Sequence, residues 1–149
     1  MASNETKHRE LLEEIRQEHD ELRQLLGTIS HALGDRLETV ARVAEMLTSL
    51  QGHVEKHFDE EEEIGFFEQV AEKAPRLADK AQQLRDEHAQ LRDTLKTLIE
   101  HAADHDDTDE WWSKTESLFR DFCRDLMHHE SAENSILMDA YQQDIGDKD

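Results

Sequence analysis

Residues 53–63 read His53-Val-Glu-Lys-His57-Phe-Asp-Glu-Glu61-Glu-Glu63, with two imidazoles and a carboxylate recurring every four residues. On an α-helix this spacing places the three groups about 6 Å apart along one side. His57 and Glu61 are also in phase with the apolar residues before and after them. Polar groups carried into a core in this way need partners there, so the segment predicts a buried polar site.

The composition of the 149-residue chain is typical of a helical protein. Charged residues make up 36% of it and aromatic residues 5%, and it contains five Gly and one Pro. Few strand formers and few turn breakers favour an all-α fold. We expect a single domain over residues 1–149, since domains commonly span about 100–150 residues and this length can bury a core.

The net charge of −20 indicates which partners to expect. Binding to nucleic acid or to an acidic membrane surface depends on basic patches, so neither is expected, and cations are the natural counter-partners. The single Cys123 cannot form an internal disulfide, and the first residues lack the basic and apolar regions of a secretory signal. Because no apolar run approaches the roughly 20 residues of a membrane span, the expected location is the cytoplasm.

Hydrophobic periodicity predicts four helices, over about residues 4–33, 36–74, 75–103 and 108–141. Gly34 reads as the end of the first helix, Gly65 as a point where the second helix kinks or frays, and Pro75 as the first turn of the third. Long helices with short connections should pack as an up-down-up-down four-helix bundle.

One histidine interrupts the apolar stripe of each predicted helix, and an acid follows one turn later in the second and fourth. These residues are His19, His57, His88, His129, Glu61 and Glu133. If the helices alternate in direction, the six groups meet at one level of the bundle. Leaving them buried without a cation would cost several kcal/mol, whereas metal ligation satisfies them. A mixed nitrogen and oxygen set suits iron, manganese, zinc or copper, and six ligands suit two metals bridged by the carboxylates.

The two halves of the chain echo each other around these residues. Glu18-His19 is repeated as Glu87-His88, and His57-Phe-Asp-Glu-Glu61 parallels His129-Glu-Ser-Ala-Glu133. The two histidines of each half are also separated by a similar number of residues. A repeat of two helix pairs would place the two sets of ligands around a pseudo-twofold axis.

The order His, then His-x-x-x-Glu, then His, then His-x-x-x-Glu resembles the hemerythrin-like (HHE cation-binding) family across nearly the whole chain. The resemblance implies a non-haem di-iron centre in a four-helix bundle, with manganese or zinc as possible substitutes. One iron would be held by His19 and His57, and the other by the two histidines of the second half. Both acids would bridge the irons, alongside an oxo, hydroxo or water ligand.

The sequence departs from the oxygen-carrying members of that family at two points. Those members have a second histidine one turn from the third-helix histidine, whereas Leu84 and Arg92 flank His88 here. They also use a bridging Asp at the position of Asn134. A centre with one histidine fewer has open coordination positions, so the resemblance implies O2, peroxide, nitric oxide or water as small ligands.

The function implied is therefore the binding of O2 or a related small oxidant, for O2 or redox sensing or for storage. One alternative is a di-iron enzyme with peroxidase-like, catalase-like or ferroxidase activity. Another is a metal-free helical interaction module in which the histidines only pack.

Several polar residues near the predicted ligands are expected outside the ligand set. His53 lies roughly 80° from the centre of the apolar stripe, which favours a position at the rim of the site over ligation. Glu60, Glu62 and Glu63 have the phase of a solvated face, although one of them could support a ligand from outside.

Overall fold

The computed structural model describes the backbone of residues 4–146 and the side chains of residues 9, 10 and 13–141. Its elements are α1 (Asn4–Gly34), α2 (Val40–Glu63), α3 (Phe66–Lys73), a 3₁₀ helix (Pro75–Leu77), α4 (Ala78–Ala102) and α5 (Asp109–Gly146). All regular elements of the described chain are helices, which confirms the all-α prediction. Within residues 4–146, no helix combines the length and the apolar composition that a membrane span requires.

The four long helices, α1, α2, α4 and α5, pack side by side in a closed ring. α1 contacts α2 and α5, and α4 contacts the same two helices from the opposite side. Each long helix therefore has two long neighbours, and the side chains at its inward face meet those of both.

The structure has two helices where the periodicity predicts one over residues 36–74. α2 ends at Glu63 and α3 begins at Phe66, because Gly65 takes the left-handed conformation (φ +68°), which favours glycine. The short α3 then buries Phe66, Phe67 and Val70. Its packing against α4 and α5 closes one end of the bundle.

Two other helix starts differ from the predicted ones. α2 begins at Val40, where the Thr39 hydroxyl accepts a hydrogen bond from the Arg42 N–H at 3.1 Å and so caps the helix. Pro75 opens a single 3₁₀ turn, and the regular α4 follows it from Ala78.

The core consists of two apolar clusters with a polar layer between them. On α1, His19 lies between Ile15 of one cluster and Leu22 of the other. On α4, His88 lies in the same way between Leu84 and Leu91. The polar layer is thus sealed by apolar side chains on both sides along the bundle.

Candidate metal centre

Six buried side chains of ligand type meet in the polar layer. They are His19, His57, Glu61, His88, His129 and Glu133, each at most 3% exposed. Their ligand atoms form two groups with all atoms of a group within 4.8 Å of one another, the first from His19, His57, Glu61 and Glu133 and the second from His88, His129 and Glu133. The structure thus brings together all six residues that the sequence analysis singled out, and Glu133 belongs to both groups.

The inward atoms of these side chains lack hydrogen-bond partners among the residues that the structure describes. This holds for Nε2 of all four histidines and for both carboxylate oxygens of Glu61 and Glu133. Nε2 of His57 lies 2.7 Å from a Glu61 oxygen, yet without hydrogen-bond geometry, because both atoms aim at the same interior space. Buried polar atoms that converge unpaired are costly unless a cation binds them, so this donor set fits a transition metal.

The Nδ1 atom of each of the four histidines contacts a side chain of a neighbouring helix. The Nδ1 contacts are His57 with Glu18 (2.7 Å), His88 with Glu62 (3.1 Å), His129 with Glu87 (2.9 Å) and His19 with Asn134 (3.1 Å). A proton on Nδ1 donates to the oxygen in each pair, which leaves the Nε2 lone pair for a metal. These four contacts are named the outer ring, since they join α1 to α2, α2 to α4, α4 to α5 and α5 to α1.

No outer-ring residue could be assigned to a particular imidazole from the sequence. A signal for two of them was present, because Glu18 and Glu87 precede the histidines of α1 and α4 at equivalent positions. Glu62 is half-buried and holds His88, so it is one of the three acids for which the sequence left a supporting role open beside a place on the solvated face. The missing information is the register between helices, which decides which acid faces which imidazole.

A seventh buried polar residue, Glu130, was missed altogether. Its side chain is 0% exposed, and neither of its carboxylate oxygens has a hydrogen-bond partner among the described residues. Burial raises its pKa to about 7. The sequence parallel between residues 57–61 and 129–133 gave a hint of this burial, since it aligns Glu130 with the apolar Phe58.

Three residues near the predicted ligands, His53, Leu84 and Arg92, lie outside both groups of ligand atoms. His53 is exposed and lines a groove of about 380 Å³ between α1 and α2, which also reaches His57. Leu84 is buried in an apolar cluster. Arg92 lies over the Phe58 ring and pairs with acids of α2, so neither residue flanking His88 supplies a ligand atom.

The pattern and the geometry agree with one comparison to known proteins. Over residues 10–141, the chain matches the family model described as the hemerythrin HHE cation binding domain. The chain belongs to this family. Comparisons with curated proteins and with solved structures found no match. Membership in the hemerythrin family, together with the buried cluster of histidines and acids, identifies the polar layer as a candidate cation site.

Without a metal, the acids of this hemerythrin-family centre ionise unequally. Burial and the adjacent Glu133 charge hold the pKa of Glu61 well above its usual range. Burial alone would also raise the pKa of Glu133, but contacts with Glu61, His129 and His19 outweigh it and hold the pKa well below the usual range. Of the two carboxyls, Glu61 is therefore the one that takes up a proton first, as one member of a close acid pair does.

His57 is also protonated in the metal-free centre. Burial would lower its pKa, but contacts with Glu18 and Glu61 and the charges of Glu61 and Glu133 raise it to about 10. Protonated His57 stabilises the metal-free fold below its ordinary pKa of 6.5, and this stabilisation is lost as the pH rises through about 10. Metal binding has the opposite pH dependence, because it requires the deprotonated ring.

We therefore expect metal binding at pH 8 to release at least one proton. The proton on His57 must leave, and so must any proton that Glu61 still holds at this pH. Affinity should rise by up to about tenfold per pH unit for each proton released. Calorimetric titration with Co²⁺ in two buffers of different ionisation enthalpy measures the number of protons.

The matched controls lie on α1. Glu18→Gln removes a contact that raises the His57 pKa, so this variant should release fewer protons at pH 8. Glu13→Gln changes an exposed acid of the same helix and should leave the number unchanged. A heat of binding independent of the buffer would contradict the expected protonation of His57.

Two histidine substitutions separate a buried ligand from a rim residue. His88→Ala should weaken the binding of one metal by about 100-fold or more, since even supporting residues outside a ligand set contribute 10–100-fold. His53→Ala should change affinity less than about threefold, because His53 is exposed and outside both groups. Metal content after gel filtration and competition with a chelator measure both. An equal loss from the two variants would show that His53 also ligates.

Proposed function

We propose that this chain is a non-haem di-iron protein that binds O2 or a related small oxidant, as a sensor or a store. The proposal takes the chain as one domain with an up-down-up-down arrangement of α1, α2, α4 and α5. The closed ring of these helices and the short connections between them support that arrangement.

The observation that carries the proposal is the division of the ligand atoms into two groups with one shared acid. His19 and His57 lie in one group, His88 and His129 in the other, and Glu133 belongs to both. Two groups around a common carboxylate suit two cations held close together. The mixed imidazole and carboxylate set suits iron, which would supply electrons to a small oxidant.

The protein's own residues keep the centre dry and fixed in orientation. The outer ring holds each imidazole with Nε2 inward, so the ligand set needs little rearrangement when a cation binds. Phe58 stacks on His88, with ring centroids 3.9 Å apart and planes 6° from parallel, and covers that side of the centre. The groove that reaches His57 offers small molecules a route from the other side.

Metal analysis and peroxide addition test the proposal. The protein as isolated or reconstituted with Fe²⁺ should hold close to two irons per chain, and O2 or peroxide should cause a stable, reversible change in its absorption spectrum. Glu133→Ala is the matched control and should lose both the iron and the spectral change, because Glu133 belongs to both groups.

Other outcomes would replace the proposal. Multiple-turnover evolution of O2 from peroxide, or sustained oxidation of added Fe²⁺, would identify a di-iron enzyme instead. No stoichiometric transition metal, together with unchanged thermal stability in chelator, would leave the metal-free interaction module.

A further inference from the structure

Two of the differences between the halves of the centre concern a buried side chain or one that contacts a ligand-type histidine. Segment 57–61 corresponds to 129–133, so the residue after each ligand histidine is Phe58 in one half and Glu130 in the other. One residue beyond the acids, Glu62 corresponds to Asn134. The first difference exchanges an aromatic ring for a carboxylate beside the centre.

Phe58 shows where a side chain at this position points. Although it follows His57, its ring lies against the histidines of the other half. It stacks on His88 at 3.9 Å and contacts the His129 ring edge-on at 5.8 Å. By the pseudo-twofold relation, Glu130 follows His129 and faces His19 and His57. Besides burial, His19, His57 and Arg23 of α1 act on the pKa of the Glu130 carboxyl, which agrees with that placement.

The Glu130 carboxylate makes no hydrogen bond within the described part of the chain, although the Arg23 charge acts on it. The side chain is 0% exposed, and neither oxygen has a hydrogen-bond partner among these residues. A buried carboxylate without partners is strongly unfavourable unless it meets a cation. The Nε2 atoms of His19 and of His57, which Glu130 faces by the pseudo-twofold relation, are also unpaired and would hold such a cation.

We propose that Glu130 is a third carboxylate ligand, specific to the cation held by His19 and His57. The inference rests on the metal centre proposed above. Glu130 lies outside the two compact groups of ligand atoms, so coordination requires its flexible side chain to rotate toward the cation. The carboxylate makes the two cation positions chemically different, because the position of His88 and His129 has the Phe58 ring at the corresponding place.

The consequence is a harder, more oxygen-rich site in one half of the centre. Carboxylate oxygen favours harder cations, whereas the other half keeps a larger share of imidazole nitrogen. The two cations should therefore bind in separate steps with different affinities.

Titration with Co²⁺ against a chromophoric chelator tests the assignment. Wild-type protein should bind two Co²⁺, and Glu130→Gln should lose at least tenfold in affinity for one of them while the other affinity stays within about twofold. Glu110→Gln, on the exposed first turn of the same helix, is the control and should match wild type. Formate should partly restore the weakened step in Glu130→Ala, because it supplies the missing carboxylate.

Thermal unfolding distinguishes a ligand from a residue that only supports packing. Glu130→Gln should raise the unfolding midpoint of the metal-free protein, since it removes an unpaired buried charge, and lower the midpoint of the Co²⁺-loaded protein. A lower midpoint in both states, or an equal loss of both affinities, would overturn the assignment. Two unchanged affinities in Glu130→Gln would overturn it and leave the metal centre intact. No Co²⁺ binding by wild type would overturn the metal centre itself.

Discussion

Replacing Glu133 by Ala should abolish the binding of both metals, with a loss of about 100-fold or more in each affinity. Substitution of residues that only support ligands already costs 10–100-fold, and Glu133 is the one residue found in both groups of ligand atoms. Chelator competition with Co²⁺ or Fe²⁺ measures the two affinities, and circular dichroism checks that the variant remains helical.

Glu61→Ala is the matched comparison for this experiment. Glu61 belongs only to the group of His19 and His57, although one of its oxygens lies 4.0 Å from Nε2 of His88. Its removal should weaken the first position more than the second. A Glu133→Ala variant that retains one metal at wild-type affinity would show that the two positions do not share this carboxylate.

Removing the metal should lower the midpoint of thermal unfolding by about 10 °C. A cation present at 1,000 times its dissociation constant stabilises the fold by about 4 kcal/mol, and in proteins of this size each kcal/mol moves the midpoint by about 2–4 °C. The structural reason is that four imidazole nitrogens and four carboxylate oxygens lose the cations they converge on. Calorimetry with excess chelator, and again after metal is restored, measures the shift.

The control for metal removal is the Glu133→Ala variant. Its midpoint should respond little to either chelator or added metal, because it has lost the shared ligand. If the wild-type midpoint is the same in all three conditions, the unpaired atoms are tolerated without a cation and both metal-dependent functions are excluded.

The burial of the six candidate ligands could be predicted from the sequence because helical periodicity carries that information. His19 and His88 replace apolar residues at inward positions, and Glu61 follows His57 by one turn on the same inward stripe. A residue at the centre of such a stripe is buried whichever helix packs against it. The structure accordingly buries every predicted ligand.

Residues at the edge of a stripe cannot be placed in this way. His53 and Glu130 both lie roughly 70–80° from the centres of their stripes by the period of 3.6 residues. His53 is exposed and Glu130 is fully buried, because a neighbouring helix covers only one of the two edges. Periodicity within one helix does not reveal which edge that is.

Contacts between helices were also beyond the sequence pattern, and the break at Gly65 was predicted only as a kink or a fray. The pairing of Glu62 with His88 depends on how far α2 is shifted along α4. The apolar phase continues into residues 66–70, so it gives no sign that the helix ends at Glu63. That break depends on the left-handed backbone of Gly65, a conformation that glycine permits but does not require.

The outer ring determines which parts of the protein unfold together. Each long helix takes part in two of the four outer-ring contacts. In one it supplies the side chain that supports a neighbour's imidazole, and in the other its own imidazole is supported by a neighbour. No long helix can therefore detach without releasing ligands carried by two helices. Segments far apart in sequence become one cooperative unit, whose amide protons should exchange together at the level of the polar layer. A bound cation would then suppress local opening in the middle of all four helices at once, while their ends fray independently.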